Sequence, residues 1–169
     1  MLHKIFLSIL IGYALGCMNV AYYYAKRRGE NIFSLGSSNA GATNIARNYG
    51  LKAGIWVGLL DGFKMIVALW IVQHLLAGST QFLALTALSC ICGHIFPWQL
   101  GFNGGKGAAC LLAAGIYFLP YQAIMLLTGL FLGVFLLQKN YKKAAFVTMC
   151  CSPLVFCFYA GAFLSVCCS

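Results

Sequence analysis

Long apolar runs separated by short polar segments set the pattern of this chain. A membrane-crossing helix needs about 20 apolar residues. Six stretches approach that length: Ile5–Ala25, Ala53–Leu76, Phe82–Gln99, Ala108–Leu119, Tyr121–Gln138 and Ala144–Val166. The fourth is short and Pro120 divides it from the fifth, so a tilted, half-inserted or re-entrant helix is expected there. Ile5–Ala14 and Met125–Leu137 are apolar around the whole helical circumference, which suits lipid contact better than a soluble amphipathic helix. The predicted fold class is all-α: one polytopic, membrane-embedded domain over residues 1–169. It has about six transmembrane spans, one short or half-length helix and two glycine-rich loops.

Composition agrees. Of 169 residues, 62% are hydrophobic and 8% charged, with a mean hydropathy of +0.89, whereas a soluble domain carries roughly 25% charged residues. Eleven Lys and Arg stand against two acidic residues, a net charge of +9. So apolar a chain has no soluble face for a basic stripe, so nucleic acid is not an expected partner. A one-sided distribution of cations in a membrane protein accounts for the excess. With six spans, Lys26–Lys52, Leu100–Gly107 and Lys139–Lys143 share one side and hold nine of the eleven cations. The positive-inside rule makes that side cytoplasmic and the N-terminus external. His3 and Lys4 before an apolar run resemble a signal peptide, and Ala14 to Cys17 a lipoprotein cleavage box. The apolar run continues past Cys17, so an uncleaved first span is expected. All nine cysteines lie in or at the end of apolar runs, where Cys packs as a small hydrophobe. Cys90, Cys92 and His94 at spacing two point successive side chains about 200° apart on a helix, so no metal site is expected.

Two polar segments differ from ordinary loops. The first, Ser34 to Arg47, crowds small, hydroxyl and amide residues around Gly36 and Gly41 before presenting Arg47. Such a stretch lets backbone N–H groups approach an anion. Ser37, Asn39, Thr43 and Asn44 add donors, and the Arg47 guanidinium offers a planar fork for phosphate. The plain alternative is a hydrated linker. The second segment, Gly101 to Gly107, contains Asn103, Gly104, Gly105, Lys106 and Gly107 and leads into an apolar helix. Gly104, Gly105 and Gly107 are expected to use positive φ, and Lys106 to sit where a phosphate meets the following helix N-terminus. A tight turn with a topology-setting lysine is the alternative. A P-loop is excluded, because Leu100 and Gly107 stand where that motif needs Gly and Ser or Thr.

Inside the second span, Asp61 and Lys64 are three residues apart and share a helix face. Unpaired charges at that depth cost about 3 kcal/mol each. They neutralise each other, or Asp61 orients Arg47 or Lys106. His94 ends the third span on the side of both loops and is either a satisfied core residue or a site residue. With Glu30 and Asp61 the only acidic residues, a paired-carboxylate mechanism has little material. Positioning and charge neutralisation remain, which suit an already activated substrate.

At these residues the chain resembles the acyl-phosphate-dependent glycerol-3-phosphate acyltransferases of bacteria (the PlsY family). The family's G-S-x-N-x-G-A-T-N-x-x-R pattern corresponds to Gly36 through Arg47, its D-x-x-K to Asp61 through Lys64, and its G-H-x-x-P and G-F-x-G-G-K-G to Gly93 through Pro97 and Gly101 through Gly107. The resemblance implies acyl transfer from acyl phosphate to the 1-hydroxyl of glycerol 3-phosphate, giving lysophosphatidic acid, without cofactor or metal. The resemblance also implies a bacterial cytoplasmic (inner) membrane, whose lipids would surround the chain, and the chain is expected to act as a monomer. Catalytic roles would fall to Ser37, Arg47, Lys106 and His94, and substrate binding to Gly36, Asn39, Gly41, Thr43, Asn44, Asn103, Gly104, Gly105 and Gly107. Asp61 and Lys64 would orient them, and either His94 or a substrate phosphate oxygen would take the hydroxyl proton.

The chain departs from the family pattern at Asn103, Cys17 and Met65, where Lys, Ser and Gly are usual. Members generally have seven spans and a C-terminal segment with His, Asn, Arg and Glu; here the last span is expected to be missing, or Ala160–Ser169 its remnant. Competing readings are a transporter or binding protein for a phosphorylated solute, and a catalytically inactive relative.

Overall fold

The apolar runs fold as helices because, in lipid, each backbone N–H and C=O must find its partner within the segment. The computed structural model describes residues 1–76 and 79–118, nearly all within the compact unit Met1–Tyr117. Every regular element among them is helical: α1 (Leu2–Gly16), α2 (Val20–Lys26), α3 (Ala42–Tyr49), α4 (Leu51–Leu75), α5 (Thr80–Ile95) and α6 (Ala108–Phe118), with 3₁₀ turns at Ile32–Ser34 and Trp98–Leu100. Three stretches are long and apolar enough to cross a membrane: Leu2–Lys26, Leu51–Leu75 and Thr80–Leu100. At 11 residues, α6 is a short apolar helix, as expected of the fourth run. The stretches Tyr121–Gln138 and Ala144–Val166, with Lys139–Lys143 between them, lie outside the described residues.

The first span is not one helix. It breaks at Cys17–Asn19, between α1 and α2. Asn19 is the cause: its side-chain oxygen accepts the Tyr22 N–H at 2.9 Å and starts α2 afresh, as a capping asparagine does. Its amide nitrogen donates to Ala40 O at 3.0 Å, tying the break to the first polar loop.

Close helix contacts use missing side chains. A Cβ at Gly12 or Gly16 of α1 would collide with the backbone of Thr86 or Cys90 on α5, and one at Gly93 with Tyr13 O on α1. With little hydrophobic drive between helices in lipid, this backbone approach supplies the packing attraction. Gly54 does the same for α4 against Ala46 of α3. Ala21, Ala25, Ile32, Ala40, Ile45, Ala53 and Val57 form a core joining α2, the first loop, α3 and α4. Ile55, Trp56, Leu59 and Phe63 of α4 face outward.

Helix directions follow from three long-range hydrogen bonds. Lys4 Nζ donates to Leu76 O at 3.0 Å, so α1 begins where α4 ends. Tyr13 Oη donates to Phe96 O at 2.8 Å, and Gln99 to Cys17 O, so α1 and α5 end together. Both glycine-rich segments therefore leave the same end of the α1–α4–α5 group.

Candidate active site

The first loop is folded around one amide. Asn44 on α3 is fully buried. Its oxygen accepts from Ser37 N at 3.0 Å and Asn48 Nδ2 at 3.1 Å, while its nitrogen donates to Leu35 O at 2.9 Å and Ile32 O at 3.4 Å. The expectation of a substrate donor here is corrected: every polar position of this side chain is engaged in holding the loop. Gly36 (φ 51°) and Ser38 (φ 53°) turn the chain through the left-handed region, and a Cβ at Gly36 would strike the Asn44 amide oxygen. Ser37 and Thr43 are exposed and Asn39 is half-buried, while Gly41 caps α3. Arg47, on the last turn of α3, is exposed. The far end of α3 is clamped from outside: the Tyr49 hydroxyl donates to the Glu30 carboxylate, and the Arg28 guanidinium lies 3.8 Å from the Tyr24 ring centre and 5.4 Å from that of Tyr49. The hydrogen bond to Glu30 holds the Tyr49 phenol above its ordinary pKa.

The second loop folds back onto the end of α5. Gly104 N donates to Ile95 O at 2.9 Å and Gly105 N to His94 O at 3.0 Å. Gly101, Phe102 and Gly107 take positive φ, whereas Gly104 and Gly105 do not. The reason for those two glycines is space. A Cβ at Gly104 would collide with His94 O, and one at Gly105 with the His94 ring at Nε2 and with Ala40 O, 2.7 Å away. Ala40 belongs to the first loop, so Gly105 is where the two segments meet. Asn103 and Lys106 are exposed. Neither Arg47 nor Lys106 makes a hydrogen bond or ion pair with another described residue.

Beneath this junction lies a buried ionic cluster. Asp61 is 1% exposed, Lys64 6% and His94 3%. Lys64 Nζ donates to Met18 O at 2.7 Å and Gly16 O at 3.0 Å, two of the carbonyls the helix break leaves free. It also lies 2.8 Å from His94 Nδ1 and 2.9 Å from Asp61 Oδ1. The Asp61 contact is ionic, outside hydrogen-bonding angles, and that oxygen has no hydrogen bond among the described residues. Of the two expected pairings, Asp61 takes Lys64 and not Arg47 or Lys106. An ammonium donating into Nδ1 places the imidazole proton on Nε2, the nitrogen beside Gly105. Cys110 Sγ donates to Asp61 O at 3.3 Å. Cys90 is buried and Cys92 exposed, as spacing two on a helix requires.

Sequence reasoning missed Asn19 and Gln99. A capping asparagine inside an apolar run was the available signal for the first; nothing local marked the second.

Residues 6–169 match the family described as glycerol-3-phosphate acyltransferase. The chain belongs to that family. A glycerol-3-phosphate acyltransferase of Aquifex aeolicus is 34% identical over 159 residues, 94% of this chain and 81% of the relative. Glycerol-3-phosphate acyltransferase 1 of Oceanobacillus iheyensis is 34% identical over 160 residues, 90% of this chain and 76% of the relative. The fold matches the crystal structure of PlsY (YgiH), an integral membrane glycerol 3-phosphate acyltransferase, in its glycerol 3-phosphate form. That match has a TM-score of 0.76 at 31% identity, over 94% of this chain and 78% of that one. The lysophosphatidic acid form gives a TM-score of 0.74 at 30% identity, over the same shares of the two chains. Both glycine-rich loops and the ionic cluster of this glycerol-3-phosphate acyltransferase family member lie within the matched residues.

Proposed function

We propose that this chain transfers an acyl group from acyl phosphate to the 1-hydroxyl of glycerol 3-phosphate, releasing lysophosphatidic acid and inorganic phosphate. The observation that carries this reading, in a chain of this family, is the meeting of the two glycine-rich loops at Gly105 and Ala40 above the buried cluster. Each of these loops carries one exposed cation without a protein partner among the described residues. Both substrates are anionic, and Arg47 and Lys106 supply two charges for their phosphates, with the exposed Ser37 and Thr43 and the backbone at Gly41 and Gly107 as neighbouring donors.

The hydroxyl oxygen attacks the acyl carbon, the acyl–oxygen bond to phosphate breaks, and the hydroxyl proton leaves with the departing phosphate. A mixed anhydride is activated already, so no enzyme nucleophile is needed. His94 is not the proton acceptor in this scheme, because its free lone pair at Nδ1 faces Lys64 and Nε2 is left as a donor. Its Nε2–H and the Gly105 backbone hold the floor of the site. Asp61 and Lys64 orient that ring, and Asn44 holds the first loop in shape.

The chain acts as a monomer, as one membrane-embedded domain over residues 1–169 with six spans. The bacterial relatives favour a bacterial inner membrane, and the distribution of cations favours an external N-terminus and a cytoplasmic site. The purified chain, given acyl phosphate and glycerol 3-phosphate, should release inorganic phosphate and lysophosphatidic acid in equal amounts. Solute flux into vesicles without product, or no product at all, overturns the proposal.

A further inference from the structure

We propose that a recess at the end of the first span binds the headgroup of an anionic glycerophospholipid drawn from the surrounding bilayer. Val20, Tyr23, Tyr24, Lys26, Arg27 and Leu60 line a cavity of about 440 Å³. Val20, Tyr23, Tyr24 and Arg27 follow one another at the first, fourth, fifth and eighth positions, so they share one helix face. Val20 and Tyr24 also pack, half-buried, against the core around the fully buried Ala21 and Ala25, while Tyr23 and Arg27 are exposed. The recess therefore sits beside that core, with Tyr23, Lys26, Arg27 and Leu60 on its exposed side. Leu60 brings α4 to its wall from the same outward surface that exposes Trp56, Leu59 and Phe63.

The lining matches an amphiphile with negative charge at one end. Aliphatic and aromatic groups line it at Val20, Leu60 and the two tyrosines, while Lys26 and Arg27 stand where the apolar stretch Leu2–Lys26 stops. That position is headgroup depth, where tyrosines and cations gather in membrane proteins. The three successive cations also divide by partner. Arg28 is committed to the protein: it packs on Tyr24 and Tyr49 and donates to Tyr24 O at 3.4 Å. Lys26 lies 5.6 Å from the Tyr22 ring centre, and neither it nor Arg27 has an ion pair among the described residues. Two cations on an apolar recess, without a carboxylate between them, are complementary to a lipid phosphate whose acyl chains run along α4. This inference rests on the chain lying in a membrane and is independent of the acyl-transfer reading.

The test compares phosphatidylglycerol with phosphatidylcholine, each titrated against the purified full chain in neutral detergent and scored by native mass spectrometry. Wild type should retain phosphatidylglycerol preferentially. Each cation beside an anionic lipid contributes about a fivefold preference, so Lys26→Ala with Arg27→Ala should weaken retention about 25-fold. The exchange Lys26→Arg with Arg27→Lys should preserve it. Leu60→Trp, which fills the recess from an exposed helix face and leaves the charge unchanged, should also release the lipid. Equal retention of the two lipids, wild-type retention by the double alanine variant, or wild-type retention by Leu60→Trp overturns the site. Displacement of the lipid by inorganic phosphate alone overturns it too, because it would show an anion patch with no use for acyl chains.

Discussion

Three positive charges at the two glycine-rich loops fall into two environments. Lys64 is buried beneath the loops, with two backbone carbonyls, an imidazole nitrogen and a carboxylate around its ammonium. Arg47 and Lys106 project from the loops above it and take no partner among the described residues. A charge surrounded by the protein's own acceptors has no capacity left for a ligand, and removing it strands whatever it neutralised. A charge left in solvent beside closely packed backbone is held ready for an anion from outside. The comparison therefore places Lys64 in the architecture and leaves Arg47 and Lys106 as the two cations that our proposal gives to substrate, although all three were equally visible as cations in the sequence.

That contrast can be broken by substitution. The largest effect on stability belongs to Lys64→Met, which leaves Asp61 charged and buried; breaking a buried pair in this way costs about 3–5 kcal/mol. The thermal midpoint in detergent should collapse, and adding Asp61→Asn should recover much of it. A variant as stable as wild type would mean that Lys64 is not the neutralising partner. Arg47→Ala and Lys106→Ala should do the reverse. Each should lower kcat/KM about 100- to 1,000-fold, the range for removing one charge-stabilising donor from an active site, with the thermal midpoint unmoved. Turnover close to wild type in either variant would remove that cation from the site.

Gly105→Ala sharpens the boundary between the two environments. Its added methyl must displace either the His94 ring or the first loop at Ala40, and overpacking of this kind costs about 1–3 kcal/mol. Stability and acyl transfer should fall together, unlike in the Arg47 and Lys106 variants. The smallest effect is expected at Tyr49→Phe, which keeps the half-buried ring and loses only its hydroxyl, so the midpoint should move by no more than about 2 °C. The Tyr49 hydrogen bond needs a protonated phenol to donate it. Its stabilisation is therefore complete below the ordinary tyrosine pKa of about 10 and is lost as pH rises through the higher folded value. In a phenolate titration, the difference between wild type and Tyr49→Phe should appear late, above the main tyrosine transition.

Most of the framework was legible beforehand because it depends on run length and local type. The first three spans and the short fourth run coincide with helices within a few residues, and both loops lie at one end of the helices as the placement of cations required. The Asp61–Lys64 pair was legible from spacing alone. What escaped depends on contacts between distant residues. The break at Cys17–Asn19 hides within continuous apolar character, since hydropathy does not register which backbone carbonyls are used. Asn44 and Asn39 look alike as donors, and only the fold shows that the first is surrounded by its own loop. Gly104 and Gly105 suggested unusual torsions, but their requirement is the nearness of His94 and of Ala40, some 65 residues earlier in the chain for Gly105.

The interrupted first span has a consequence for anyone grafting this region onto another scaffold. In an uninterrupted helix, Gly16 O and Met18 O would each be claimed four residues onward along the same coil. The ammonium of Lys64 would then face hydrocarbon with two of its three hydrogens unclaimed. The unwound turn at one helix and the lysine at another are thus a lock and its key cut from separate pieces of chain. A host receiving one without the other inherits either bare carbonyls or a homeless charge.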